Sequence, residues 1–274
     1  MRPQPITLVL GGGGARGLAH LGALEVLLVA GFTPRHIVGA SIGSLVGALC
    51  ALEPDVPRLQ RKIIGYLGSP RFRDAWRFPP PPATVGDGDG SPETAACLAI
   101  EGPTPVSPDE LLRGLIGDIV PDVDVESLPI PLSIVAADVT SRRPVVLDRG
   151  PLRTAVHASS AIPGCFAPVA WGGMRLCDSA VHDPLPMSIA RSRTNYALVG
   201  VDVSRPGPPS EEGGSPDAAG GTDRTREPWT SVDIGPDAAV VIRPQVADTD
   251  WHDFSSPLPL IAAGRRAALE WLAA

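Results

Sequence analysis

The chain is short of positive charge, of aromatics and of every common metal motif. A single lysine, Lys62, stands among 23 basic residues, and 30 acidic residues leave a net charge of −7. The isoelectric point is near 5.2. That balance argues against a nucleic-acid partner held by a general basic field. Only twelve of 274 side chains are aromatic. No apolar run approaches the roughly 20 residues of a transmembrane helix. The first apolar run, from Pro5 to Leu10, ends in glycines and is too short for a signal peptide. There is no C-x-x-C pair, no H-E-x-x-H and no D-x-D-x-D-G loop, so no metal or cofactor is expected. Cys50, Cys97, Cys165 and Cys177 read as reduced thiols, which suits a cytoplasmic protein.

What the chain does have is apolar bulk and many breakers. Hydrophobic residues make up 43%, with 30 glycines and 32 prolines. This length and composition suit one α/β domain over residues 1–274 with a large core. Apolar runs of strand length alternate with amphipathic stretches of helix length, which predicts a three-layer α/β/α fold with a mostly parallel sheet. A strand over residues 5–10 runs into glycines, then a helix over 18–31. Residues 167–178 read as a hairpin turning at Gly172 and Gly173. The Pro- and Gly-rich stretch 68–108 reads as an excursion from the fold, and 204–229 as a mobile loop.

Ser41 is the candidate nucleophile. It sits between Gly39 and Gly43, at the junction of the buried strand ending "HIV" and the helix "IGSLVGALCAL". A strand that turns straight into a helix bends sharply, and glycines on either side leave room for that bend. The serine then projects from the apex at a helix N-terminus, where negative charge is favoured. The simpler reading is an N-cap.

The loop "GGGGARG" before it has three readings. Gly12, Gly14 and Gly17 fit the dinucleotide-binding spacing, but the second strand ends without the acid that fingerprint needs. A P-loop needs G-K-S or G-K-T, which is absent. Consecutive glycines also expose amides in a concave nest, which suits an oxyanion hole built from Gly12, Gly13 and Gly14. A plain tight turn is the alternative. Arg16 organises this loop, attracts an anionic substrate, or is a simple surface arginine.

A serine needs a base. A Ser-Asp-His order would call on His252 or His182. At this point four segments, spread over roughly residues 5–186, resemble the bacterial patatin-like phospholipases. They are Gly12 to Gly17, Gly39 to Gly43, "ASSAIPGCFAPV" at 158–169 and "CDSAVHDPLP" at 177–186. The resemblance implies a Ser41–Asp178 dyad without histidine, acting on acyl esters of phospholipids or lysophospholipids through an acyl-enzyme. Burial lifts a carboxyl toward the working pH and makes such a base effective. The sequence departs from the family pattern at two places. Ser179, ahead of Ala180, replaces the middle glycine of the aspartate motif, where it is expected to strain the turn. Asp183 replaces the usual asparagine. The rival readings are a Ser-Asp-His esterase and a lipid-binding protein with impaired catalysis.

Arg58 to Phe78 carries six cations, one acid and four aromatics. That mixture suits either a lip resting peripherally on an anionic membrane surface or a solvated surface with its aromatics tucked into the core.

Overall fold

The computed structural model describes residues 3–76, 107–204, 235 and 237–274. Among the described residues, eight strands form one sheet. They are β1 (Gln4–Leu10), β2 (Phe32–Ala40), β3 (Leu132–Asp138), β4 (Pro144–Leu147), β5 (Val169–Trp171), β6 (Met174–Asp178), β7 (Ala197–Val201) and β8 (Ala239–Ile242). The order is β5-β6-β3-β2-β1-β7-β8, with β4 also paired to β3. The central strands β3, β2, β1, β7 and β8 are parallel. β4, β5 and β6 add antiparallel pairs at one end.

The period of two along β1 decides what each face meets. Ile6, Leu8 and Leu10 point into the main core. Val9 joins Val38, Val135 and Leu198 on the other face. The main face carries α1 (Ala19–Val29), α2 (Ile42–Leu52), α3 (Val56–Leu67), α5 (Pro108–Ile119), α6 (Leu152–Ser160) and α8 (Pro257–Ala273). Short α7 (Met187–Arg191) covers the second face with Leu185. The arrangement is the mostly parallel, helix-flanked sheet that the alternation predicts.

Three local features refine the sequence reading. β2 begins at Phe32 and passes through Pro34; pairing with β1 skips Arg35, so proline sits at a bulge in the ladder. The expected excursion starts later than residue 68, because Pro70–Ala75 forms α4, capped by the Ser69 side chain. Pro108 already lies in α5, which opens with a Ser107/Glu110 capping box. Residues 77–106 and 205–229 of the expected loops lie outside the described residues, as do Arg77, Phe78 and Cys97. The hairpin turn is as expected: Gly172 and Gly173 both take positive φ, 52° and 84°, between the paired Trp171 and Met174.

The cysteines need one correction. Cys50 and Cys177 are free and buried, and burial pushes the Cys50 thiol up to about 12. Cys165, however, is disulfide-bonded rather than reduced.

Candidate active site

Ser41 follows the last residue of β2 and precedes the first of α2. Its backbone takes φ 52° and ψ −126°, a left-handed conformation that costs a non-glycine residue about 1–3 kcal/mol. Only Ser41 and Arg142 among the described non-glycine residues have positive φ. The flanking glycines are steric requirements. A Cβ on Gly39 would stand 2.5 Å from the Gly43 carbonyl oxygen, and one on Gly43 would strike the Leu10 carbonyl. Ser41 also closes the start of α2 as an N-cap residue, but through its backbone. Its carbonyl accepts from Ser44 N–H at 2.8 Å, and its side chain makes no cap bond.

The strand register brings the acid close. Ala40 pairs with Val135 of β3, and Asp178, ending β6, pairs with Ala136. Ser41, which follows Ala40, and Asp178 therefore lie near one level of the sheet, two strand spacings or about 10 Å apart across it. Asp178 is 2% exposed. Its N–H donates to Ala161 O at 2.9 Å, and its Oδ1 accepts from Ala180 N–H at 2.8 Å. That second bond shapes the turn and aims the carboxylate.

Gly12 is the joint between the two. A Cβ there would overlap the Ala180 side chain and stand 3.2 Å from the Ser41 Cβ. Gly12 donates its amide to Pro184 O at 2.8 Å, in the loop that follows Asp178. Its amide is therefore committed, which corrects the expectation that Gly12 supplies an oxyanion donor. Among the described residues, the amides of Gly13, Gly14 and Ile42 donate to no backbone acceptor. Arg16 is 4% exposed and folds back on its own loop, with Nε–H donating to Gly13 O at 3.2 Å. Across a planar trans peptide, a carbonyl held on one side leaves the next N–H pointing to the other. Arg16 thus orients the Gly14 amide. Gly17 packs directly against the Ile42 side chain.

Two residues missed from the sequence are Ser159, which lies within the segment 158–169, and Ile42, whose amide the elbow motif itself points to as that of the residue after the serine. The Ser159 hydroxyl accepts from Ser41 N–H at 2.8 Å and donates to Val135 O at 2.7 Å. The Ser179 hydroxyl donates to the same Val135 oxygen at 3.1 Å. Ser179 has no positive φ, so the strain expected from replacing glycine is absent. Asp183 is half-buried, and burial pushes its carboxyl above the ordinary value.

The histidines lie elsewhere. His182 is exposed. His36 pairs with Ser133 Oγ at 2.9 Å, and His157 faces Asp109 at 2.9 Å. None of the described histidines lines the cavity on which Ser41 opens. That cavity is about 110 Å³, and its walls are apolar, including Ile42, Leu45, Leu115, Phe166 and Trp251. Leu67, Phe72, Trp76 and Phe254 form a partition between it and a second cavity lined by Arg73, His252 and Asp253. Trp76 stands in edge contact with Phe254 at 5.4 Å, and its Nε1–H donates to His252 O at 2.9 Å.

Three aromatics of the expected membrane lip, Tyr66, Phe72 and Trp76, therefore line this cavity. Phe72 is 8% exposed, and Tyr66 donates its hydroxyl to Asp118 at 2.8 Å. The cations Arg58, Arg61, Lys62, Arg71 and Arg73 stay outside.

A family model for patatin-like phospholipases matches residues 8–191. The chain belongs to the patatin-like phospholipase family. An uncharacterised NTE family protein of Mycobacterium tuberculosis is 34% identical over 205 residues, covering 74% of this chain and 51% of that protein. The lysophospholipase nte1 of Aspergillus fumigatus is 29% identical over 200 residues, covering 73% of this chain and 12% of that protein. The chain thus spans about half the length of the mycobacterial relative and a smaller share of the fungal one. Among solved structures, VipD from Legionella pneumophila shares the fold with a TM-score of 0.50 at 16% identity. The match covers 99% of this chain and 67% of that one. No described helix is long and apolar enough to cross a membrane.

Proposed function

We propose that this patatin-like protein is a serine acyl hydrolase that cleaves lipid acyl esters through a Ser41–Asp178 dyad. The observation that carries this is a junction. The strained Ser41 opens onto an apolar cavity while standing against Gly12, and Gly12 packs on the turn that Asp178 begins. The cavity walls offer a lipid chain an apolar bed.

In this reading Asp178 accepts the hydroxyl proton as Ser41 Oγ attacks the ester carbonyl. The C–O bond forms, and the carbonyl oxygen becomes an oxyanion beside the amides of Gly13, Gly14 and Ile42. One such donor is worth on the order of 3 kcal/mol of barrier. The tetrahedral species collapses, and the leaving alkoxide takes the proton from Asp178. Water, deprotonated by Asp178, then attacks the acyl-enzyme, releasing the fatty acid and restoring Ser41. The absence of a histidine from the cavity wall, among the described residues, favours the dyad over a triad.

The substrate class is a phospholipid or lysophospholipid acyl ester, in line with the fungal relative's name. The outward cations of α3 and α4 suit contact with anionic headgroups.

A fluorophosphonate probe and a panel of acyl esters test the reading together. Labelling confined to Ser41, with release of fatty acid from phospholipid or lysophospholipid, is the expected result. No labelling and no turnover on any acyl ester overturns it.

A further inference from the structure

His20 is a buried titratable group that the proposed chemistry does not use. It lies in the first turn of α1, is 0% exposed, and places Nε2 2.8 Å from Gly11 O. A carbonyl accepts, so the ring carries its proton on Nε2 and donates. Nδ1 is then a bare acceptor, and it is buried without a partner. Burial pushes the imidazole down to about 4, which keeps it neutral near neutral pH; Asp202 opposes that shift.

The bond matters because of which carbonyl it takes. Gly11 O and Gly12 N–H belong to one peptide plane, and every described peptide is trans. The two groups point in opposite directions. His20 holds the oxygen on one side, and Pro184 O receives the N–H at 2.8 Å on the other. The result is a hydrogen-bonded line from α1, through the Gly11–Gly12 peptide, to the loop after Asp178. Bonds in such a line polarise and strengthen one another. Gly12 is also where the Ser41 and Ala180 side chains approach the backbone.

We infer that His20 is a positioning residue, which fixes the Gly11–Gly12 peptide so that the glycine loop, the nucleophile and the aspartate loop close in register. This inference rests on the hydrolase reading for its catalytic consequence. Its structural content does not depend on that reading.

The test compares His20→Gln with His20→Asn in the full chain. A glutamine amide reaches the Nε2 position, whereas an asparagine amide stops near Nδ1 and leaves Gly11 O without a donor. Two quantities are read. One is hydrogen exchange of the Gly12 amide by NMR, and the other is kcat against KM on a soluble ester. The expected result is Gly12 exchange at least tenfold faster in the Asn variant and close to wild type in the Gln variant. The kcat of the Asn variant should fall about tenfold with KM within twofold, and Gln should restore most of it. Unchanged Gly12 exchange in the Asn variant overturns the inference, as does equal damage from Gln and Asn. A wild-type protein without turnover, whose Gly12 amide still loosens in the Asn variant alone, sinks the hydrolase reading and leaves the positioning role standing.

Discussion

The hydroxyls of Ser159 and Ser179 donate to one oxygen, that of Val135, at 2.7 and 3.1 Å. Ser159 holds the Ser41 amide in the same gesture. Ser179 follows Asp178 directly in the chain. A single carbonyl in the middle of β3 therefore references both Ser41 and the turn that follows Asp178. Replacing glycine by Ser179 adds a tether at this point.

Ser159→Ala removes the acceptor of the buried Ser41 N–H. An unsatisfied buried donor costs about 1–3 kcal/mol. The melting temperature should fall by several degrees and kcat by at least tenfold. Ser179→Gly should cost less, and the double variant should cost less than the two losses combined, since both bonds act on one oxygen. Strictly additive losses in ester turnover would show that the two tethers are independent.

Ser41→Ala should abolish fluorophosphonate labelling, and Asp178→Asn should lower kcat by about a thousandfold or more while circular dichroism stays native. His182→Ala and His252→Ala should keep most of the activity. A histidine variant as inactive as Asp178→Asn would restore the triad.

Gly12→Ala puts a methyl where Ala180 and Ser41 already crowd. The expected outcome is a folded protein whose kcat is down about a hundredfold. Wild-type turnover by this variant would mean that the junction is looser than the packing implies.

Trp76→Ala should open the aromatic partition between the two cavities. Relative kcat/KM for long acyl esters over short ones should rise severalfold, measured on a chain-length series. An unchanged profile would place the end of the acyl chain elsewhere.

The neutral His20 gives stability a pH dependence with a definite sign. Its pKa is near 6.5 when unfolded and about 4 when folded, so the unfolded chain binds the extra proton between those values. Its contribution is intact above 6.5 and is lost as pH falls toward 4. The loss is on the order of 3 kcal/mol. Urea melts at pH 7 and pH 4.5 should show a larger drop for wild type than for His20→Gln. Parallel drops would mean that His20 is not the group responsible.

The elbow and the hairpin were legible because each depends on local sterics that a sequence displays. Gly39 and Gly43 cannot carry a Cβ, and Gly172-Gly173 suits a turn with two positive φ values. The alternation of strand and helix likewise carried the layer order. Other features depend on partners far away in the chain. Ser159 meets Ser41 across 118 positions, and nothing near either residue announces it. Gly12 looks like an oxyanion donor until Pro184 takes its amide. The aromatics between Tyr66 and Trp76 suggested a membrane lip by composition. Phe72 and Trp76 are four residues apart, and with Phe254 they stack into an inward cluster. Phase along the chain, more than composition, decided where they face.

The left-handed backbone at Ser41 has a last consequence, for inactive variants as reagents. Ser41→Ala deletes the hydroxyl but keeps the Cβ, so it inherits the backbone tension of the active protein. Ser41→Gly deletes both and releases that tension, which sets against glycine's usual entropic cost. The two silent proteins should therefore differ, with the glycine form melting at or above the alanine form. Ser41 is a spring held under load by β2 and α2, and the alanine variant still holds it wound.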